Sequence, residues 1–317
     1  MNRGCSGGIL LVDKEEGLSS HQVVSLVKRA LGGRKAPKVG HAGTLDPFAT
    51  GLLVVMVGQA TKLSRYLAAE DKIYRAVMKL GEATDTLDAT GRVIRSLEGP
   101  LPSMEEIEAV SKKFIGIIEQ TPPMYSAVKH QGVRAYRLAR KGIHVLLKKR
   151  NVNISEIELI EYKPPYAKME IHCSAGTYIR TLAADLGEAM GNAAHLTALR
   201  RLSVGSYNIA DALGSSELHV GAGCREKLVA RLIDPVEVLE WMPSIPISAG
   251  LAARISRGYQ PTKDEIDAGA DSVPREQSGL VKIVAAGRLV AVGRLGNAEG
   301  AEKSGFTAER VFSADDD

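Results

Sequence analysis

Cysteine is scarce. The three in this chain, Cys5, Cys173 and Cys224, form no CxxC pair. That excludes a disulfide framework and a cysteine zinc site. Aromatic residues make up only 4% of the chain, so each tyrosine in a patterned stretch stands out. The longest apolar run, Leu52–Val57, is far shorter than the roughly 20 residues of a membrane span. The opening MNRGCSGGILLVDKEEG has four consecutive aliphatics before Asp13, too few for a signal peptide. A cytoplasmic protein without a membrane span is therefore expected. There is no GxxxxGK[ST], no GxGxxG after a strand, and no HExxH or HxH cluster. A phosphate-binding loop, a dinucleotide fold and a metal centre are accordingly not expected, and neither is a cofactor.

The charge is present but unevenly placed. A net charge of +4 says little by itself. Residues 129–150 hold eight Lys or Arg and no acid, and residues 28–38 hold five more. One such run is readily a solvated face. Two acid-free runs favour a polyanionic partner, because Lys and Arg displace counterions from phosphates.

The chain is long enough for about two domains. Ile9–Val12 predicts a short strand. Ser19 with Gln22 predicts a capping box, and Val23, Leu26, Val27, Ala30 and Leu31 an apolar helix face that Gly32-Gly33 ends. Leu52–Val57 reads as a buried strand. Residues 73–80 alternate, with Tyr74, Ala76, Met78 and Leu80 on one face. Residues 81–91 read as loop, 103–114 as helix, AYRLARKG as a short basic helix, 169–173 as strand and 178–190 as helix. Strands and helices without regular alternation give an α+β class. Two prolines in WMPSIPIS mark a boundary. Beyond it, LVKIVAAGRLVAVGRL predicts a β-hairpin in a small β-rich domain, and 264–279 a polar loop.

Three residues attract chemical attention, each with an ordinary reading beside it. Asp46, in GHAGTLDPFATG, precedes a proline as turn-capping residues do. Yet Gly40, Gly43 and Gly51 leave room for a ligand, and His41 lies nearby. Arg180 opens the 178–190 helix, where the dipole disfavours a cation. It is either an exposed Arg or one held by an anion. Tyr74 is either core packing or a platform for a base. Asp85 and Asp88 sit in a Gly- and Thr-rich turn and read as backbone caps rather than metal ligands.

Together these pieces resemble one family, the bacterial tRNA pseudouridine-55 synthases (the TruB family). Seven ordered stretches carry the resemblance: KVGHAGTLDPFATGLL, GQATKLSRYL, KIYRAVMKLG, TDTLDATG, TPPMYSAVKHQGVRAYRLARKG, SAGTYIRTLAADLG and AHLTALRRLSVG. The resemblance implies a pseudouridine-synthase core on a mixed, largely antiparallel sheet over residues 1–240, with a basic insertion at about 124–150. A small C-terminal β-rich PUA domain over 245–317 would follow. It implies isomerisation of uridine at position 55, in the T-loop of tRNA, without cofactor or metal. Asp46, Tyr74 and Arg180 match the family's catalytic set. His41, Gly43, Thr44, Lys14 and Tyr178 match its substrate site, and Arg137, Arg140 and Lys141 its basic segment. The implied partner is the tRNA T arm, with the acceptor stem as a further contact. The implied state is a monomer with no obligate protein partner. The chain departs from the pattern at Glu15 and Glu16, where a proline commonly follows the Asp-Lys pair. An RNA-binding or RNA-folding protein with an idle site is the other class that fits, and the guide-RNA-dependent relative is a third reading.

Overall fold

The computed structural model describes residues 7–143, 145–218, 223–267, 279–295 and 306–312. Strand β1 (Gly7–Lys14) leads to helix α1 (Ser20–Ala30), which starts at the predicted capping box on Ser19 and Gln22. Strands β2 (Val39–Ala42) and β3 (Thr50–Gly58) flank the Asp46 turn. Helix α2 (Ser64–Ala69), strand β4 (Lys72–Leu80) and the hairpin β5 (Glu82–Thr84) and β6 (Val93–Ser96) follow. The stretch read as loop thus begins with a short strand. Next come α3 (Met104–Lys112), β7 (Gly116–Gln120), a small hairpin of β8 (Lys129–His130) and β9 (Val133–Arg134), and α4 (Ala135–Ala139). The core closes with β10 (Arg150–Lys163), β11 (Tyr166–Cys173), α5 (Ile179–Ala189), β12 (Ala194–Val204), β13 (Tyr207–Asn208), β14 (Leu213–Gly214) and α6 (Cys224–Ala230).

These strands form one ten-stranded mixed sheet in the order β14-β1-β3-β12-β4-β11-β10-β7, with β2 on β3 and β13 on β12. Within this sheet, only β1–β14 and β3–β12 pair in parallel among the described strands. The apolar run of β3 follows from burial on both faces. Leu52, Val54 and Met56 pack with Leu63 and Leu67 on one face; Leu53, Val55 and Val57 pack with Val23 and Val27 of α1 on the other. On the far half of the sheet, Tyr74, Ala76, Met78 and Leu80 pack beneath Ile179, Leu182 and Leu186 of α5, as their alternation predicts.

Past Met242, a four-stranded sheet orders β15 (Ser244–Pro246), β16 (Leu280–Ala285), β17 (Arg288–Leu295) and β18 (Phe306–Val311), with α7 (Ala249–Ser256) against it and α8 (Lys263–Asp267) following. The predicted hairpin is β16–β17. Of the predicted 264–279 loop, the first residues are α8 and 268–278 lie outside the described residues. This sheet docks on the core. Leu280, Leu289, Val292 and Phe312 share a cluster with Leu63 and Tyr66. Glu309 accepts hydrogen bonds from the Tyr66 hydroxyl at 2.7 Å and from Arg294 at 2.8 Å, and pairs with Arg65 at 2.8 Å.

Gly51 is where β3 crosses β12 most tightly. A methyl there would lie 2.3 Å from the carbonyl oxygen of Arg201 and 2.6 Å from its nitrogen, both backbone atoms, and φ is +102°. Neither strand can give way without losing its pairing. Gly51→Ala is expected to cost about 2–4 kcal/mol. A thermal melt should show a fall of roughly 3–6 °C; an unchanged melting temperature would contradict the crossing.

Candidate active site

The Asp46 turn is fixed from three sides. Ser20 Oγ accepts from Leu45 N–H at 2.8 Å and donates to Leu45 C=O at 2.9 Å. Pro47 C=O accepts from Gly17 N–H at 2.8 Å and from Lys14 Nζ at 3.2 Å. Gly43, at φ +79°, accepts through its carbonyl from Arg201 Nη2 at 3.0 Å. The backbone is therefore held by its neighbours, and the Asp46 carboxylate is left for another partner. That partner is Arg180, whose Nε lies 2.9 Å from Oδ2. The capping explanation of Asp46 fails here.

Arg180 is the second residue of α5 and is buried, its side chain 4% exposed. Its guanidinium also reaches Asp88 Oδ2 at 3.3 Å, Thr86 C=O at 2.8 Å and Tyr125 C=O at 2.7 Å. Two carboxylates thus offset the unfavourable helix dipole, and four contacts fix the fork in one orientation. Asp88 does cap its own turn, accepting from Thr90 N–H at 3.0 Å and Thr86 Oγ1 at 2.8 Å, as its sequence suggested. Its pairing with Arg180 is a second task. Asp85 accepts from Arg92 N–H at 2.9 Å and pairs with Arg92 Nε at 3.5 Å.

Asp46 and Arg180 open onto a cleft of about 240 Å³ that Tyr74, Gly43, Thr44 and Tyr178 also line. Burial raises the Asp46 pKa above the ordinary carboxylate range and outweighs the opposing pull of Arg180. The Tyr74 hydroxyl is raised too, chiefly by burial, and lies beside Arg201. Gln120, buried on β7, staples the entry to α5. Its amide donates to Tyr178 C=O at 3.0 Å and its Oε1 accepts from Tyr178 N–H at 2.7 Å. The Tyr178 ring lies under Arg150, with 5.2 Å between guanidinium carbon and ring centre.

Other expected site residues are placed differently. Lys14 is wholly buried and does not line the cleft. Its Nζ donates to the carbonyls of Glu15, Leu18 and Pro47, so it supports the turn from beneath. Burial lowers its pKa to about 8. Glu15 and Glu16 are exposed, and Glu15 accepts from Ser216 N–H at 3.2 Å. His41 sits on β2 outside the cleft lining. Its Nδ1 is buried without a partner among the described residues, and burial lowers its pKa. Arg137, Arg140 and Lys141 are exposed and line a separate groove on α4. That helix is tied to the cleft edge: Tyr136 N–H donates to the carbonyl of Ser126, a cleft residue.

Sequence reasoning passed over two cationic cleft residues. Lys72 lies on the same face of β4 as Tyr74, two residues earlier, and extending that alternation backwards would have found it. Arg201 shares the buried face of β12 with Leu199 and Ser203, an inward charge in an apolar rhythm.

The family profile described as "TruB family pseudouridylate synthase (N terminal domain)" matches residues 28–179, and "tRNA pseudouridylate synthase B C-terminal domain" matches 180–239. The tRNA pseudouridine synthase B of Syntrophotalea carbinolica is 38% identical over 307 residues, covering 96% of this chain and 98% of its own. The chain belongs to the TruB family of pseudouridylate synthases. The same-named protein of Chromohalobacter salexigens is 44% identical over 270 residues, covering 84% of this chain and 86% of its own. Among solved structures, a Cbf5-Nop10-Gar1 complex superposes with a TM-score of 0.72 at 26% identity, covering 96% of this chain and 85% of that one. The archaeal box H/ACA sRNP Nop10-Cbf5 complex gives 0.70 at 26% identity, with 96% and 86% covered. The two TruB profiles meet at residue 180, so the cleft draws Asp46 and Tyr74 from one and Arg180 and Arg201 from the other.

Proposed function

We infer that this chain converts a uridine of tRNA to pseudouridine, the T-loop uridine at position 55 being the substrate its family points to. The observation that carries this is the Asp46–Arg180 ion pair in the lining of the cleft, in a chain that matches tRNA pseudouridine synthases almost end to end. The reaction breaks the bond from sugar C1′ to base N1 and makes one from C1′ to C5. The same two groups are rejoined, so no oxidant, reductant or co-substrate is consumed. Such an exchange needs a carboxylate at the sugar, either to attack C1′ or to take a sugar proton. Asp46 supplies it, and Arg180 aims it. Tyr74 is the wall against which the base turns.

A base stacked in a folded loop must be turned out of the stack, at a cost of a few kcal/mol. Backbone contacts offset this. Arg137, Arg140 and Lys141 supply them at the cleft edge, clamping the T arm without reading sequence. Replacing all three with Ala should weaken tRNA binding and reduce the salt slope by up to about three. The measurement is tRNA affinity across a salt series; an unchanged slope would remove these residues from the interface. Residues 1–240 form the catalytic unit in this reading, and 245–317 a PUA-like module placed toward the acceptor stem. The enzyme works as a monomer in the cytoplasm.

The test is an unmodified tRNA transcript tritiated at uridine C5, incubated with the chain alone. Release of one equivalent of label, lost when the T-loop uridine is replaced, is the expected result. Tight binding with no release would make the protein an RNA-folding factor. Release only with added protein partners would favour the guide-dependent relative.

A further inference from the structure

The cleft holds more positive charge than the catalytic pair accounts for. Arg180 is matched by Asp46 and Asp88. Lys72 and Arg201 also line the cleft, and both are buried. Among the described residues neither forms an ion pair. Lys72 Nζ donates to Ala68 C=O at 2.8 Å and to Glu70 C=O, which leaves one N–H of three. The Glu70 carboxylate is turned away and accepts from Trp241 at 2.7 Å. Arg201 donates from Nε to Leu52 C=O at 2.7 Å and from Nη2 to Gly43 C=O; the Tyr74 hydroxyl is its third neighbour. The two cations repel each other across the cleft wall. Burying two like charges with only carbonyls to hold them is costly unless an anion enters.

The reaction creates such an anion. When C1′–N1 breaks, the electron pair leaves with the base. The detached uracil is then negative, its charge shared by N1, O2 and O4. Its C5 next attacks C1′. The C5 proton departs, N1 takes one up, and the balance closes without a net proton or electron.

We propose that Lys72, with Arg201 beside it, stabilises the detached uracil anion in the cleft. This rests on the pseudouridine-forming reading above. It makes Lys72 a catalytic residue for base departure, distinct from Asp46, which works on the sugar. Preorganised donors aimed at developing charge act in this way in buried sites.

The test compares single-turnover cleavage of the uridine glycosidic bond in wild type, Lys72→Met and Lys72→Arg, on tRNA carrying uridine or 5-fluorouridine. Fluorine stabilises the base anion and makes it a better leaving group. Loss of the original nucleoside from a digest reads the cleavage itself. Lys72→Met should slow uridine cleavage about 100-fold, leave tRNA affinity unchanged, and lose severalfold less with 5-fluorouridine. Lys72→Arg should recover most of the rate. Equal losses on the two substrates would assign Lys72 a packing role. A loss confined to tRNA affinity, with a lower salt slope, would assign it to a phosphate. Either overturns the proposal. If Lys72→Met does not fold, the wild-type pH profile decides. Burial beside Arg201 of β12 lowers the Lys72 pKa to about 8, against the weaker opposing pulls of Cys173 on β11 and of Glu70 and Asp71 before β4. Cys173 stays neutral, at about 11. The wild-type rate should fall above about pH 8 and that of Lys72→Arg should not; a flat wild-type profile overturns the proposal. Wild-type inactivity at every pH would instead defeat the reading on which it rests.

Discussion

Asp46→Asn is expected to abolish tritium release, by about 10,000-fold or more, while tRNA binding persists. The amide keeps the shape and the hydrogen bond from Arg180 but can neither attack C1′ nor take a proton. The same change should not lower the melting temperature at pH 7. Asp46 has a raised pKa in the folded protein against 3.8 ordinarily. Between those two values the folded state binds more protons than the unfolded one. Ionised Asp46 therefore costs stability once pH rises through that window, and Asn removes the cost. Well below pH 3.8 wild type is protonated in both states, and any advantage of the variant should vanish. The same shift sets the acid limb of the wild-type rate. Activity should fall with decreasing pH at a midpoint above the ordinary carboxylate range. A melting temperature several degrees lower for Asp46→Asn would mean that the ion pair holds the fold rather than the chemistry.

Arg180→Ala carries the second large effect, on stability and rate together. It would leave Asp88, with a side chain 5% exposed, without its cation, and Asp46 with less reason to ionise. Removing one partner of a buried pair costs about 3–5 kcal/mol. The rate should fall roughly 1,000-fold. Arg180→Lys is not a rescue, since one ammonium cannot serve Asp46, Asp88 and two carbonyls as the planar fork does. Thermal melts and single-turnover assays on both variants check this. Near-normal activity of Arg180→Lys would show that charge alone suffices.

What the sequence disclosed was local. The Ser19 capping box, the alternation from Tyr74 to Leu80 and the strand run Leu52–Val57 each depend on neighbours a few residues away, and each appears in the structure. The resemblance identified Asp46, Tyr74 and Arg180, which the fold brings to one cleft. What was hidden depends on the order of strands. Arg201 meets Gly43 because β12 lies between β3 and β4, and no nearby residue signals that. Lys14 was expected at the site through the resemblance alone, and neither it nor its neighbours in sequence line the cleft. The direction of its side chain, down onto Pro47 C=O, is set by the turn above it. His41, next to Gly40 in the motif, pairs through its backbone with Val55 of β3 and is not among the residues that line the cleft.

The insertion of β12 between β3 and β4 also bears on synthesis. The chain places both flanking strands long before the one that joins them. Contacts so distant along the chain make for slow folding, because loop entropy is lost before the pairing is gained. A nascent chain that has emerged only as far as α5 holds Asp46, Tyr74 and Arg180 but no strand to set β3 against β4. The centre of this sheet can close only after β12 leaves the ribosome, and the cleft, which takes Leu199 and Arg201 from β12, is incomplete until then.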